Sequence, residues 1–242
     1  MRKLLVIFFV LGFTSQGKSQ VGKPAEDIKL YYRSSKAYGL TFHTEGWGVS
    51  YKAQKHLSYK IKRIYNFEFQ GLKHPKQEKV VNYNDNAKGY FFGKINALTN
   101  LRVGIGAQRA FALKEIKKGV QLAWVYSGGV NLGFVKPVYV EIYNDNGNPE
   151  SVRYEPEIHT YGSVIGRASI FRGVDELDVV PGIYGKFGLN FEYSPYDEKL
   201  KSIEVGVAAD LYYKKIPLMY NTYNNQYWIT FYVMLEIGKK IE

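Results

Sequence analysis

The chain has no cysteine among its 242 residues. Disulfides, thiolate metal sites and a lipoprotein anchor are therefore excluded. Beyond Phe13 no segment reaches the roughly 20 apolar residues that a membrane helix needs. If the chain spans a membrane, it does so as a closed sheet, which satisfies every backbone group internally. Catalytic and metal motifs are missing too. His43, His56, His74 and His159 stand in no nucleophile motif and at no metal spacing. Gly104-Ile105-Gly106 is a strand glycine pair, because no helix follows to make it a phosphate loop. Asn144-Asp145-Asn146-Gly147-Asn148 lacks the spaced carboxylates and closing Glu of a calcium loop. The expectation is a protein without catalytic residues, metal or cofactor.

What is present begins at the N-terminus. Arg2 and Lys3 precede an apolar run of ten, Leu4 to Phe13, and Gly17 and Ser19 suit cleavage after Ser19. Residues 1–19 read as an export signal, and 20–242 as one domain. Tyr (22), Phe (14) and Gly (24) are abundant, as strands and membrane–water boundaries favour. The net charge of +11 becomes +8 once Arg2, Lys3 and Lys18 are removed. In an exported chain that excess faces anionic lipid or lipopolysaccharide rather than nucleic acid.

Period-two alternation is the main signal. From Leu57 to Gln70 one face carries Leu57, Tyr59, Ile61, Tyr65, Phe67 and Phe69, while Ser58, Lys60, Lys62, Asn66, Glu68 and Gln70 take the other. The pattern recurs at Phe91–Phe111, Val120–Val135, Ile183–Tyr193, Ile203–Tyr213 and Tyr227–Ile237. Parity flips across Glu45-Gly46, a tight turn. Eight strands result, at about 36–43, 47–53, 57–70, 90–113, 119–142, 182–194, 201–214 and 226–238, the fourth bent near Asn100. A competing reading ignores the Glu45-Gly46 turn and splits the fourth strand at Asn100.

The predicted fold is all-β: a transmembrane antiparallel up-and-down barrel. A lipocalin-like barrel or sandwich is the soluble alternative. The wet faces decide against it, because they carry Gly129, Gly133, Gly188, Gly206 and Ala208 where a solvent face would carry Lys, Glu and Thr. Small residues suit an eight-strand interior that side chains must fill. Short turns at 54–56, 114–118 and 195–200 then face the periplasm, and the connections 71–89, 143–181 and 215–225 face outward.

The chain resembles the small outer-membrane β-barrel proteins of Bacteroidota, loosely called PorT-like. The resemblance rests on the export signal, His43-Thr44-Glu45-Gly46-Trp47-Gly48, Lys73-His74-Pro75-Lys76, Gly93-Lys94-Ile95-Asn96, Gly104-Ile105-Gly106-Ala107-Gln108 and Pro181-Gly182-Ile183-Tyr184-Gly185-Lys186-Phe187-Gly188. It implies a fold and a location in the outer membrane, and no chemistry. The C-terminus departs from the aromatic ending of many such barrels.

Two groups of residues are candidates for function. Lys60, Lys62, Lys94, Arg102 and Lys186 are expected to meet Glu68, Glu192, Glu204, Asp210 and Glu236 inside the barrel, because buried charges must be paired. Either they plug the lumen or they line a narrow solute pore. The 39-residue connection 143–181 is the second group. It carries Asp145, Glu150, Glu155, Glu157, Asp175, Glu176 and Asp178 against Arg153, Arg167 and Arg172, with a short helix expected over Ile170 to Leu177. It either docks a partner, such as another outer-membrane protein in an assembly or secretion complex, or folds over the barrel as a solvated cap. A lipid A or phospholipid-modifying enzyme remains the alternative to a structural or accessory role.

Overall fold

The computed structural model describes residues 33–81, 88–113, 119–160, 162–193 and 199–241; the expected signal at 1–19 lies outside them. Among the described residues there are thirteen strands and no helix: β1 (Ser34–His43), β2 (Gly46–His56), β3 (Ile61–Leu72), β4 (Lys79–Val80), β5 (Tyr90–Phe91), β6 (Asn96–Ala112), β7 (Gln121–Pro137), β8 (Tyr139–Tyr143), β9 (Pro149–Arg153), β10 (Val164–Arg167), β11 (Asp178–Glu192), β12 (Lys199–Tyr212) and β13 (Tyr227–Ile241).

Eight of these close a barrel in the order β1-β13-β12-β11-β7-β6-β3-β2. Every pairing is antiparallel, and the first and last strands complete the circle, with Ser34 opposite Ile241 and His43 opposite Tyr232. No strand edge is left open, so the backbone donors and acceptors of the wall are paired within it. The expected turn forms one residue earlier, with Thr44 and Glu45 between the paired His43 and Gly46, and β6 passes Asn100 without turning back. The topology that splits the fourth strand is therefore wrong.

Several boundaries differ from the sequence expectation. The turn expected at 54–56 lies at Leu57–Lys60, closed by Leu57 N–H to Ile61 O at 2.9 Å. β2 continues to His56 because the Gln54 side chain accepts a bond from Ser35 Oγ at 2.9 Å inside the barrel. β6 begins at Asn96, not residue 90, because the chain turns at Gly93, where φ is +72°. Tyr90 and Phe91 pair instead with β4. β6 shows no break near Asn100; its irregularity lies between Ala110 and Ala112. The strand expected over 119–142 is divided after Pro137, and β8 leaves the barrel to join another sheet.

That other sheet has the order β10-β8-β9, and with the β4-β5 hairpin it caps one end of the barrel. The cap has its own core of Tyr90, Val140, Tyr154 and Val164, edged by Val80, Val138, Ile142 and Val152. Below it a second apolar cluster fills the barrel mouth: Leu72, Leu98, Val135, Val180, Tyr212, Ile216, Leu218, Met219 and Trp228. The helix expected over Ile170–Leu177 does not form; the segment is a run of turns. Gly173 adopts φ +76° there, a conformation that ends a right-handed helix.

Polarity is inverted relative to a soluble fold. The outer wall exposes large apolar side chains on every barrel strand, among them Phe42, Val49, Phe67, Ile105, Val130, Ile183, Leu211 and Phe231. Aromatics also form ladders across it. Phe111, Trp124 and Phe187 lie at successive centroid distances of 5.5 and 5.4 Å. Tyr38, Tyr51 and Phe67 follow at 5.3 and 6.4 Å. The inner faces of the same strands carry the buried polar and charged residues.

Candidate functional site

The lumen is built by residues two apart on each strand, alternating with the apolar wall. Its centre is a continuous chain of ion pairs. Asp210 on β12 is held by Arg102 on β6. Arg102 also reaches Glu68 on β3 at 3.2 Å. Glu68 accepts from Lys186 on β11 at 2.7 Å, and Lys186 lies 3.3 Å from Glu204 on β12. Lys52 on β2 then joins Glu204 to Glu236 on β13. Toward the end opposite the cap a separate triad forms, with Glu192 between Lys62 at 3.0 Å and Lys240 at 2.7 Å. Five cations thus meet five carboxylates, and the network carries no net charge.

Neutral side chains complete the satisfaction of these charges. Asp210 accepts from Asn100 at 3.1 Å and Asn131 at 2.8 Å. Glu236 accepts from Ser202 at 2.8 Å and Asn190 at 3.1 Å. Tyr232 donates to Glu204 at 2.8 Å, and Lys186 Nζ sits 4.3 Å from the centre of its ring. A buried network is worth keeping only when its members are satisfied in this way.

The small residues on the inner faces make room for rings. The added methyl of an alanine at Gly188 or Gly206 would come within 2.6 or 2.8 Å of the Tyr232 hydroxyl, and one at Gly133 within 2.7 Å of the Tyr212 ring. One at Gly104 would stand 2.5 Å from the Tyr184 hydroxyl. Tyrosines and salt bridges together fill the interior.

Eight of the ten charged residues expected in the lumen are there: Lys62, Glu68, Arg102, Lys186, Glu192, Glu204, Asp210 and Glu236. Two are not. Lys60 lies in the exposed turn before β3, its ammonium 5.2 Å from the Tyr59 ring centre, because the turn falls three residues later than expected. Lys94 lies in the cap, bonded to Gln77 Oε1 at 2.8 Å, because β6 has not yet begun there. Sequence reading missed Lys52 and Lys240. Lys52 has the inward parity of Ser50 and Gln54, but it sat next to the assumed end of its strand; Lys240 lay beyond the assumed end of the last one.

The seven acidic residues of the long connection divide in two. Glu157 accepts from Tyr220 at 3.1 Å, Glu176 bonds Tyr139 and lies 3.3 Å from Arg153, and Asp178 pairs with Lys214 at 2.6 Å. These three tie the cap to the barrel rim and to itself. Asp145, Glu150, Glu155 and Asp175 are exposed and form no ion pair among the described residues. A cavity of about 240 Å³ opens at this junction, lined by Arg153, Glu176, Asp178, Lys214, Pro137 and Pro217 among others.

Three of the four histidines serve local structure. The Nδ1 of His43, His74 and His159 accepts a backbone N–H from Glu45 at 3.3 Å, Lys76 at 3.2 Å and Glu155 at 3.0 Å. Among the described residues no three His, Asp or Glu side chains gather as a metal site would require.

No family profile matches the chain, and no curated protein matches it by sequence. Several solved structures are similar to the chain, including the following three. Neisserial surface protein A is 8% identical, covering 86% of this chain and 96% of its own, with a TM-score of 0.41. The attachment invasion locus protein Ail of Yersinia pestis is 10% identical, covering 86% and 96%, at 0.37. The N-terminal β-barrel domain of Pseudomonas aeruginosa OprF is 9% identical, covering 86% and 97%, at 0.36.

Proposed function

We propose that the protein is an integral barrel of a bacterial outer membrane, delivered there by its N-terminal signal, and that it acts as a non-enzymatic structural or accessory subunit of an envelope assembly or secretion complex. The observation that carries this reading is the inverted polarity. A wall studded with exposed Phe, Ile, Val and Trp side chains is costly in water at about 25 cal/mol per Å². The same wall is at home in hydrocarbon, while the charged residues need the interior to pair. The capped end faces the cell exterior and the short turns face the periplasm.

The sealed interior moves the working surface to the cap and the wall. A neutral salt-bridge network topped by an apolar plug occupies the lumen, which favours a scaffold over a solute pore. Three histidines with Nδ1 engaged by their own turns favour it over a lipid A or phospholipid hydrolase, whose histidine must be free to take a proton. The exposed carboxylates Asp145, Glu150, Glu155 and Asp175 offer a face to other envelope proteins.

Crosslinking in intact membranes, followed by purification in mild detergent, tests the accessory role. Recovery of a defined envelope partner is expected; a monomer under several detergents and crosslinkers overturns it. Unchanged lipid profiles in deletion cells are expected, and an altered lipid A or phospholipid species would instead establish the enzyme. Planar-bilayer recordings are expected to lack discrete conductance, and steady single-channel steps would establish the pore.

A further inference from the structure

We propose that the basic face where the barrel rim (Lys73, Lys136) meets the cap (Lys94, Arg167) binds the phosphorylated headgroup of an outer-leaflet lipid, whose acyl chains lie on the apolar wall directly beneath. This rests on the membrane reading above and deepens it.

The register builds the site. On the outer wall Phe69, Leu101 and Leu132 stand side by side across β3, β6 and β7. Two residues nearer the cap comes the row Gly71, Thr99 and Phe134. Lys73 extends β3 by one residue, its N–H bonded to Glu45 O at 2.7 Å, and so lies level with Ala97. Ala97 in turn pairs with Lys136 on β7. Alternation turns all three outward, because their neighbours Leu72, Leu98 and Val135 belong to the inner plug. Two ammonium groups therefore flank a small residue at the upper edge of the apolar belt. That is the depth at which a lipid's phosphates meet water.

Lys94 and Arg167 add to the same charge field. Burial and the positive charges of Lys73, Lys136 and Arg167 hold the Lys94 ammonium down to about 8 from 10.5. Among the described residues none of the four forms an ion pair with a carboxylate. Lys136 is steadied by Arg172 O at 2.9 Å and Lys94 by Gln77 Oε1 at 2.8 Å, and each ammonium keeps a further N–H to donate. Four converging cations without a counter-ion repel one another, which a multivalent anion relieves. The belt below supplies the second half of an amphiphile's binding energy, so a lipid fits better than a free anion.

The test uses the full barrel folded in zwitterionic detergent. Native mass spectrometry compares bisphosphorylated lipid A, the same lipid after dephosphorylation, and inorganic phosphate as competitor. The bisphosphorylated lipid is expected to bind at least about tenfold more tightly than the dephosphorylated one. Each cation beside an anionic surface contributes roughly fivefold. The variant K73Q/K94Q/K136Q/R167Q is therefore expected to lose roughly six hundredfold, and K73R/K94R/K136R to retain binding. Equal affinity for the two lipids, or no loss in the glutamine variant, overturns the proposal. Displacement of the lipid by millimolar phosphate reassigns the rim as a free-anion site and also overturns it. If the glutamine variant does not fold, the wild-type comparison of the two lipids decides alone. A wild-type chain that stays dissolved without detergent, and migrates alike boiled and unboiled, fails at the membrane reading instead.

Discussion

Arg102 and Asp210 grip each other across the barrel from strands that are not neighbours. The Nε–H of Arg102 donates to Asp210 Oδ1 at 2.9 Å, and a second guanidinium N–H reaches Oδ2. β7 and β11 lie between their strands in the wall. The pair is thus a strut through the interior rather than a cross-strand contact. Its two-pronged geometry is one that lysine cannot reproduce.

Removing one end of that strut leaves the other buried and charged. Asp210→Ala and Arg102→Met are each expected to cost about 3–5 kcal/mol. The double variant R102M/D210L is expected to cost less than the sum, because no charge is stranded. Urea unfolding in lipid vesicles, followed by tryptophan fluorescence, measures this. Single variants within about 1 kcal/mol of wild type would mean that the strut does not bear on stability.

Two glycines on neighbouring strands make opposite predictions. A methyl group at Gly206 would meet Phe187 O at 2.2 Å, Gly188 Cα at 2.7 Å and the Tyr232 hydroxyl at 2.8 Å. One at Gly185 would meet nothing within 4 Å. Gly206→Ala is expected to destabilise by about 1–3 kcal/mol, because backbone cannot yield as a side chain can. Gly185→Ala should stay within about 0.5 kcal/mol. The shift from the compact to the boiled gel form with temperature compares them. Equal behaviour would show that the interior is looser than the packing implies.

Glu45, in the β1–β2 turn, makes stability pH-dependent. Burial, and then the negative charge of Asp210, push its carboxyl up to about 7 from 4.5. Its Oε2 is buried without a hydrogen-bond partner among the described residues. The folded state therefore holds a proton that the unfolded chain has released, and this contribution is fully present below pH 4.5 and lost as pH rises through 7. Glu45→Gln is expected to flatten the fall in stability between pH 5 and 8. An identical pH profile in the variant would assign the dependence to other groups.

Lys94 should stand out chemically. An ammonium held near 8 is about half neutral at that pH, whereas an ordinary lysine is almost wholly charged. Brief acylation of the folded protein at pH 8, read by peptide mass spectrometry, is expected to label Lys94 ahead of Lys136, although Lys94 is the more deeply buried. Lys73→Gln and Arg167→Gln should slow it by removing two of the charges that depress it. Labelling of Lys94 no faster than Lys136 would count against the charge convergence.

Much of this molecule was legible in one dimension because a barrel wall repeats a simple rule. Each strand has one lipid-compatible and one polar face, so parity alone assigned Glu68, Arg102, Lys186, Glu204 and Asp210 to the interior. The parity flip at Glu45-Gly46 and the unbroken parity through Asn100 also selected the right topology. The errors fell where alternation fades. Lys60 and Lys94 were misplaced, and Lys52 overlooked, at strand ends, where one turn residue more or less reverses every assignment beyond it.

The order of residues by itself determined the period of the wall, the sign of its faces and the number of strands, because side-chain alternation is a local property of extended backbone. Which lysine meets which glutamate was decided only when the sheet closed. Closure brings β6 within reach of β12 across an interior that no local pattern describes. The cap is likewise a tertiary product: β4, β5, β8, β9 and β10 are too short to show a period, and they form because Tyr90, Val140, Tyr154 and Val164 find one another above the barrel mouth.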